Sequence, residues 1–393
     1  MGPTAAAEIT RELLDERLRR LRTSLVFDRF CRLLREAGVP LDRANLSLRQ
    51  LHPELVARSY HWDLEFGGAA TVDRPYAVMT RADFLASPLA AFFRDGQVLR
   101  RRLLERDCPV DFDFVRNLKA QRFRDYRISP VYFTAGQMNS LSIATRHRQG
   151  FTEEGLALLD ACVPALAEVV EIHQLRDTAQ TLLSTYVGHR TGSRVWSGTI
   201  RRGEGERLHA LVYLCDLSGF TQLAATLPMD ATMALLSDYF DAMGGAVVRH
   251  GGEILKFIGD ALLAIFPCRP GAVADCLSAA GALAAAEEGL ASLAAINGRR
   301  VLAGQPALEA RIALSVGDLL YGNIGVPDRL DFTVIGPAVN LASRLQALAA
   351  TLGEPVLLSA EVASRLARPL RSRGHHVLKG VAEPVEVFAP APA

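Results

Sequence analysis

Cysteine is scarce and unpatterned in this chain. Cys31, Cys108, Cys162, Cys215, Cys268 and Cys276 form no Cys-x-x-Cys pair and no framework spacing. A disulfide scaffold is therefore not the organising device, and most of these residues sit inside apolar runs, where cysteine acts as a small hydrophobe. Reduced, structural cysteines point to a cytoplasmic protein. Charge of one sign is also lacking. Lys and Arg total 44 against 43 Asp and Glu, a formal charge of +1, so neither nucleic acid nor an anionic membrane is expected as the main partner. No uncharged apolar stretch reaches the roughly 18 residues of a membrane span. The Ala-rich segment 272–296 is interrupted by Asp275, Glu287 and Glu288 and reads as one or two packed surface helices. The start, Met1-Gly2-Pro3-Thr4-Ala5-Ala6, has no Ser or Thr at position six and no basic-then-apolar profile. Neither myristoylation nor a secretory signal is expected from it.

What is present is enough for two domains. The chain has 393 residues, 49% of them hydrophobic and 22% charged, an ordinary balance for folded cores. A seam lies at 191–206, where Gly192, Gly198, Gly203 and Gly205 stand among polar residues. After it the pattern reads β-α-α-β-β-α-β-α-β, an α/β sandwich. Strands are expected at 209–216, 308–315, 377–378 and 385–388, helices at 230–250 and 340–352, and a hairpin around Gly259-Asp260. Before the seam, 11–37 is helical and stops at Gly38-Val39-Pro40, while 44–51, 55–62 and 138–145 alternate like strands. Thr152 is placed to cap a long helix reaching about residue 188, with Glu153 and Glu154 favourably placed for its dipole. The expected division is an N-terminal regulatory domain over 1–175, a helical linker and connector over 176–206, and a catalytic domain over 207–393. The order of elements in the first domain is similar to a GAF-type sensor, without a specific ligand motif. His52, His61, Trp62, Asp125, Tyr126 and Trp196 stand out there and in the seam, but such residues are usually core or rim.

The chemistry concentrates in two acidic positions. Glu253-Ile254-Leu255-Lys256-Phe257-Ile258-Gly259-Asp260-Ala261-Leu262-Leu263-Ala264-Ile265-Phe266 sets two apolar runs around a tight Gly-Asp turn, which pins Asp260 at a hairpin tip. Asp216 ends the apolar run Leu211-Val212-Tyr213-Leu214-Cys215 and is followed by the small-residue loop Leu217-Ser218-Gly219-Phe220-Thr221. Two carboxylates on strand ends beside such a loop suit divalent metals bound to a polyphosphate. Asn340 and Arg344 share one face of a helix. Gly251-Gly252 only ends the preceding helix.

Over about 207–393 these motifs resemble the class III nucleotide cyclases, in the family's order. Cys215-Asp216-Leu217-Ser218-Gly219-Phe220-Thr221 looks like the first metal motif, and Lys256-Phe257-Ile258-Gly259-Asp260 like the second. The stretch Asp331-Phe332-Thr333-Val334-Ile335-Gly336-Pro337-Ala338-Val339-Asn340-Leu341-Ala342-Ser343-Arg344-Leu345 resembles the helix that completes the site. The resemblance implies a ferredoxin-like βαββαβ catalytic domain in which Asp216 and Asp260 hold two Mg²⁺ or Mn²⁺ ions. Backbone amides of Leu217, Ser218, Gly219, Phe220 and Thr221 would cradle the β and γ phosphates. Asn340 would orient the ribose and Arg344 would stabilise charge on the α-phosphate. Arg311 and Lys379 resemble cations that reach the triphosphate, although Ala313-Leu314-Ser315 departs from the usual Gly-Ile-His after that arginine. Lys256 is a donor-only cation suited to adenine N1, where guanylyl cyclases place glutamate. Thr333, seven residues before Asn340, takes the second base position and resembles a subgroup that includes bicarbonate-responsive cyclases. Asp331 is a neighbouring candidate on the same strand face.

The reading is an adenylate cyclase making cyclic AMP and pyrophosphate from ATP. The family implies sites shared across a two-fold homodimer, with an unidentified small-molecule or protein signal acting on the N-terminal domain. The alternatives are a catalytically inactive cyclase-like nucleotide sensor or partner subunit, and a guanylate cyclase.

Overall fold

The helical pattern of residues 11–37 folds in several pieces. The side chain of Asp15 accepts the Arg17 N–H at 2.8 Å and so starts a new helix. In the computed structural model, which describes residues 3–268 and 272–391, α1 (Pro3–Leu13), α2 (Glu16–Arg19) and α3 (Thr23–Glu36) follow one another. Met1 and Gly2, on which the N-terminal signal expectation rests, and the Cys276 side chain lie outside the described residues. The chain divides into two units, Met1–Thr181 and Leu182–Ala393.

In the first unit β1 (Arg43–Arg49), β2 (Leu55–Asp63) and β3 (Gly68–Pro75) form a meander. A 3₁₀ turn (Tyr76–Thr80), α4 (Ala82–Leu85), α5 (Pro88–Asp95), β4 (Leu99–Arg101) and α6 (Asp113–Ala120) come next. Then β5 (Asp125–Tyr132) and β6 (Met138–Thr145) close an antiparallel sheet of order β3-β2-β1-β6-β5-β4. The strands expected at 44–51, 55–62 and 138–145 are β1, β2 and β6. Ala44, Leu46 and Leu48 of β1 join the core formed with Val26, Phe27 and Phe30 of α3 and with α7 (Glu153–Val187). Thr152 caps α7 as expected, its hydroxyl accepting the Gly155 N–H at 3.1 Å. The boundary between the units falls within α7. Several of the conspicuous residues have structural partners. The Trp62 indole donates to Asp28 at 2.8 Å, buried Asp125 pairs with Arg100 at 2.8 Å, and the His52 ring accepts the Glu54 N–H at 3.0 Å.

In the second unit part of the expected connector is ordered helix, α8 (His189–Trp196). Gly192 permits this, because a Cβ there would lie 2.8 Å from the Leu183 carbonyl carbon. Next come β7 (Gly205–Leu217), α9 (Phe220–Thr226), α10 (Met229–Arg249), β8 (Glu253–Ile258), β9 (Ala261–Pro267), α11 (Ala272–Leu302) and β10 (Ala310–Val326). Then follow β11 (Arg329–Ile335), α12 (Pro337–Leu352), β12 (Val356–Ser359), α13 (Ala360–Ala363), β13 (Leu370–His376) and β14 (Val385–Pro390). The sheet order is β13-β14-β12-β10-β7-β9-β8, with β11 paired to β10 off that path. Within it β7, β8, β9 and β10 are the antiparallel strands of a βαββαβ unit. The expectation of a mixed α/β domain holds. The strand expected at 377–378 does not form: Val377 is 84% exposed in the loop before the Lys379-Gly380 turn, and the strand is β13, earlier in the chain.

Helices α10 and α11 cover one sheet face, with Tyr239, Met243, Ala282, Leu283 and Ala286 in its core. By length and composition α11 could cross a membrane, but it buries this alanine stripe inside the unit. On the other face β11 and α12 bring Phe332, Val334, Ala338 and Ala342 against Val212 and Ile265. There α8 is anchored: the hydroxyls of Thr191 and Tyr321 are 2.6 Å apart and buried, and Arg190 and Arg194 both reach Glu206. Thr191→Val keeps the shape but strands the tyrosine hydroxyl. It is expected to destabilise this unit by about 1–3 kcal/mol, seen as a lower urea midpoint at unchanged slope.

Candidate active site

Strand ladders bring the two acidic positions together. Cys215 of β7 pairs with Leu262 of β9, and Ile258 pairs with Ala261 across the hairpin, so the Gly259-Asp260 tip lies beside the end of β7. Gly259 adopts φ +63°, which the tight turn requires. Arg311 of β10 is the ladder partner of Asp216. Asp216 is half-buried, and burial pushes its carboxyl above the ordinary value. A hydrogen bond from Gln346 and the Arg311 charge pull it down, while the Asp260 charge raises it. One sheet end thus holds two mutually repelling carboxylates and a guanidinium. Among the described residues no three His, Cys, Asp or Glu side chains converge. A divalent ion here would meet two protein carboxylates and keep open positions for water or phosphate oxygens, the donor set Mg²⁺ and Mn²⁺ favour. Gln346 was not foreseen. It lies six residues beyond Asn340, about 240° around the helix and off the face that carries Asn340 and Arg344.

In the loop expected to cradle phosphates, one backbone amide is already engaged within the unit. Leu217 ends β7 with its side chain in the core, and the Ser218 N–H donates to the Glu309 carbonyl at 2.7 Å. The Ser218 amide is therefore taken by the sheet. Gly219, Phe220 and Thr221 open α9, where first-turn amides lack intrahelical acceptors.

Lys256 is aimed by an irregularity that alternation does not reveal. Ile254 pairs with Ala264 but Lys256 with Leu263, so Leu255 is a surplus residue in β8. Ile254 packs in the α10–α11 core, and the Phe257 ring lies 4.3 Å from Phe240 of α10. Leu255 instead joins Phe332 and Val334, and the Lys256 ammonium pairs with Asp331 of β11. The bulge thus turns two consecutive side chains towards β11. Buried Phe332 and Val334 put Asp331 and Thr333 on one face of that strand, as alternation implies, and Thr333 is half-buried. Within one chain the partner of Lys256 is Asp331, not Thr333.

Asn340 and Arg344 are exposed on α12, whose Ala338, Ala342, Leu345 and Ala349 face the core. Among the described residues neither side chain has an ion-pair or hydrogen-bond partner, and Lys379 is likewise exposed in its turn. The structure therefore groups Asp216, Asp260 and Arg311, and separately Lys256 and Asp331 with Thr333 beside them. Among the described residues the side chains of Asn340, Arg344 and Lys379 make no hydrogen bond or ion pair with either group.

Residues 208–389 match the family described as the adenylate and guanylate cyclase catalytic domain. Uncharacterized protein Rv1318c of Mycobacterium tuberculosis is 31% identical over 219 residues, 55% of this chain and 38% of that protein. The match thus spans well under half the length of this curated relative. Among solved structures, the adenylyl cyclase CyaB from P. aeruginosa is 29% identical, covering 48% of this chain and 97% of that one with a TM-score of 0.44. The guanylyl cyclase Cya2 is 26% identical, covering 47% and 92% with a TM-score of 0.41. Over residues 208–389 the chain is therefore similar to adenylate and guanylate cyclase catalytic domains.

Proposed function

We propose that the second unit converts ATP to 3′,5′-cyclic AMP and pyrophosphate, in a site completed by a second copy of the chain. The observation that carries this reading is the placement of Asp216 and Asp260 at one sheet end beside Arg311. Two Mg²⁺ or Mn²⁺ ions held by these carboxylates would activate the ribose 3′-hydroxyl and bind the triphosphate. Arg311 offsets the charge of the triphosphate next to the two carboxylates. Gly219, Phe220 and Thr221 offer amides to its terminal phosphates, and Lys379 adds a cation there. Lys256 donates to adenine N1 and finds no acceptor in guanine N1–H, while the Thr333 hydroxyl accepts from the 6-amino group. Asn340 orients the ribose, and Arg344 meets the charge that builds on the α-phosphate as pyrophosphate leaves. That the Asn340 and Arg344 side chains lack partners among the described residues supports a two-fold homodimer in which they would serve the other copy's metal carboxylates. The first unit is read as a GAF-like regulatory domain that answers a small-molecule or protein signal, in a cytoplasmic protein. The test is the purified chain with Mn²⁺ and either nucleotide. Cyclic AMP and pyrophosphate should form in equal amounts from ATP, at a rate at least about tenfold above that from GTP. Binding without turnover, or faster product from GTP, would overturn the assignment.

A further inference from the structure

The sheet of the first unit has an unusual second face. Where Ala44, Leu46 and Leu48 of β1 go to the core, Arg43, Asn45, Ser47 and Arg49 point the other way and floor a cavity of about 1080 Å³. That is the upper end of the volumes that small-molecule sites occupy. The segment between β3 and β4 roofs it with Met79, Phe84 and Phe93, alongside Arg94 and the mutually paired Arg81 and Asp83. A polar floor facing these three large apolar side chains suits an amphipathic ligand.

Part of the floor is already satisfied. The hydroxyls of Ser47 and Ser59 are 3.1 Å apart, and Arg43 donates to Asp63 at 3.1 Å. Other groups are not. The Asn45 Oδ1 is buried without a donor. Among the described residues Arg49 and Arg74 have no carboxylate in ion-pair range, and half-buried Arg74 has only the His61 ring, at 3.2 Å. Burial, followed by the Arg74 and Arg43 charges, holds His61 below its ordinary pKa, so the ring is neutral and its Nε2 accepts from Arg74. Unbalanced positive charge and an unpaired buried acceptor both cost free energy until a ligand meets them.

We infer that this cavity binds an anionic small molecule with a flat apolar body, its acid group on Arg74 beside His61 and its ring system beneath Phe84 and Phe93. A hydrogen-bond donor on that body would satisfy Asn45. The probe is 8-anilinonaphthalene-1-sulfonate, which combines a sulfonate, an N–H and an aromatic body, with N-phenyl-1-naphthylamine as its uncharged analogue. Both are titrated by fluorescence against the full chain. The sulfonate should saturate with one site per chain. Arg74→Gln should weaken it at least about tenfold while shifting the neutral analogue less than about twofold. Phe84→Ala, which leaves Arg74 in place, should weaken both probes at least about fivefold. Absence of saturable sulfonate binding overturns the inference, as does equal sulfonate affinity in Arg74→Gln. Should Arg74→Gln fail to fold, unchanged affinity of both probes in Phe84→Ala overturns it instead.

Discussion

Asp260→Ala and Arg344→Ala proteins should each lose at least about a thousandfold in turnover of ATP, and an equal mixture should recover roughly a quarter of the unaltered rate. The first loss follows from removing one of two carboxylates that would hold the ions. The second removes a cation that, on the proposed reading, would act only as charge develops. Recovery follows from symmetry. Random exchange of subunits makes half the dimers mixed, and each mixed dimer carries both lesions in one site and none in the other. Asp260 sits in a hairpin turn and Arg344 is exposed, so neither change should move the urea midpoint appreciably. Continuous assay of the mixture against subunit concentration checks the result. Well-folded partners that stay inactive after subunit exchange would refute the shared site.

Lys256→Glu should lower kcat/KM for ATP at least about a hundredfold. The change puts an acceptor opposite adenine N1, itself an acceptor, and sets a second carboxylate against Asp331, which now pairs with the ammonium. The same change removes the donor that would disfavour guanine, so the preference for ATP over GTP should narrow as well. Steady-state kinetics with both nucleotides and Mn²⁺ test this. A variant within about threefold of the unaltered protein on ATP would remove Lys256 from base recognition.

Much of the catalytic unit was legible because its signals are local. Apolar runs around a Gly-Asp turn could only be a hairpin, and the Asn340–Arg344 spacing places both side chains on one helix face. Thr152 was recognisable as a cap for the same reason. What escaped depends on contacts distant in sequence. Helix α8 was hidden by Gly192, a turn former in isolation but here the residue that lets α8 approach the Leu183 backbone. Strand β11 was hidden because its first three residues are exposed and only Phe332 and Val334 are buried. The long β10 was cut short by Gly317 and Gly322, which resemble breakers until Gly322 is seen against Glu204 and Gly205. The polar floor of the first unit could not be told from an exposed sheet face, since alternation distinguishes two sides but not what covers them.

The surplus residue in β8 has a consequence for how that hairpin could be shortened. Deleting Leu255 would restore strict alternation with Lys256 still opposite Leu263 and Phe257 still opposite Leu262, so the ammonium would keep its side of the sheet and the strand would lose only the side chain that packs with Phe332 and Val334. A deletion there would therefore act on the seating of β11 rather than on the direction of Lys256. Grafted onto a regular hairpin with the same Gly259-Asp260 tip, the lysine and Phe257 would still point to opposite faces, because their distance from the turn sets their side.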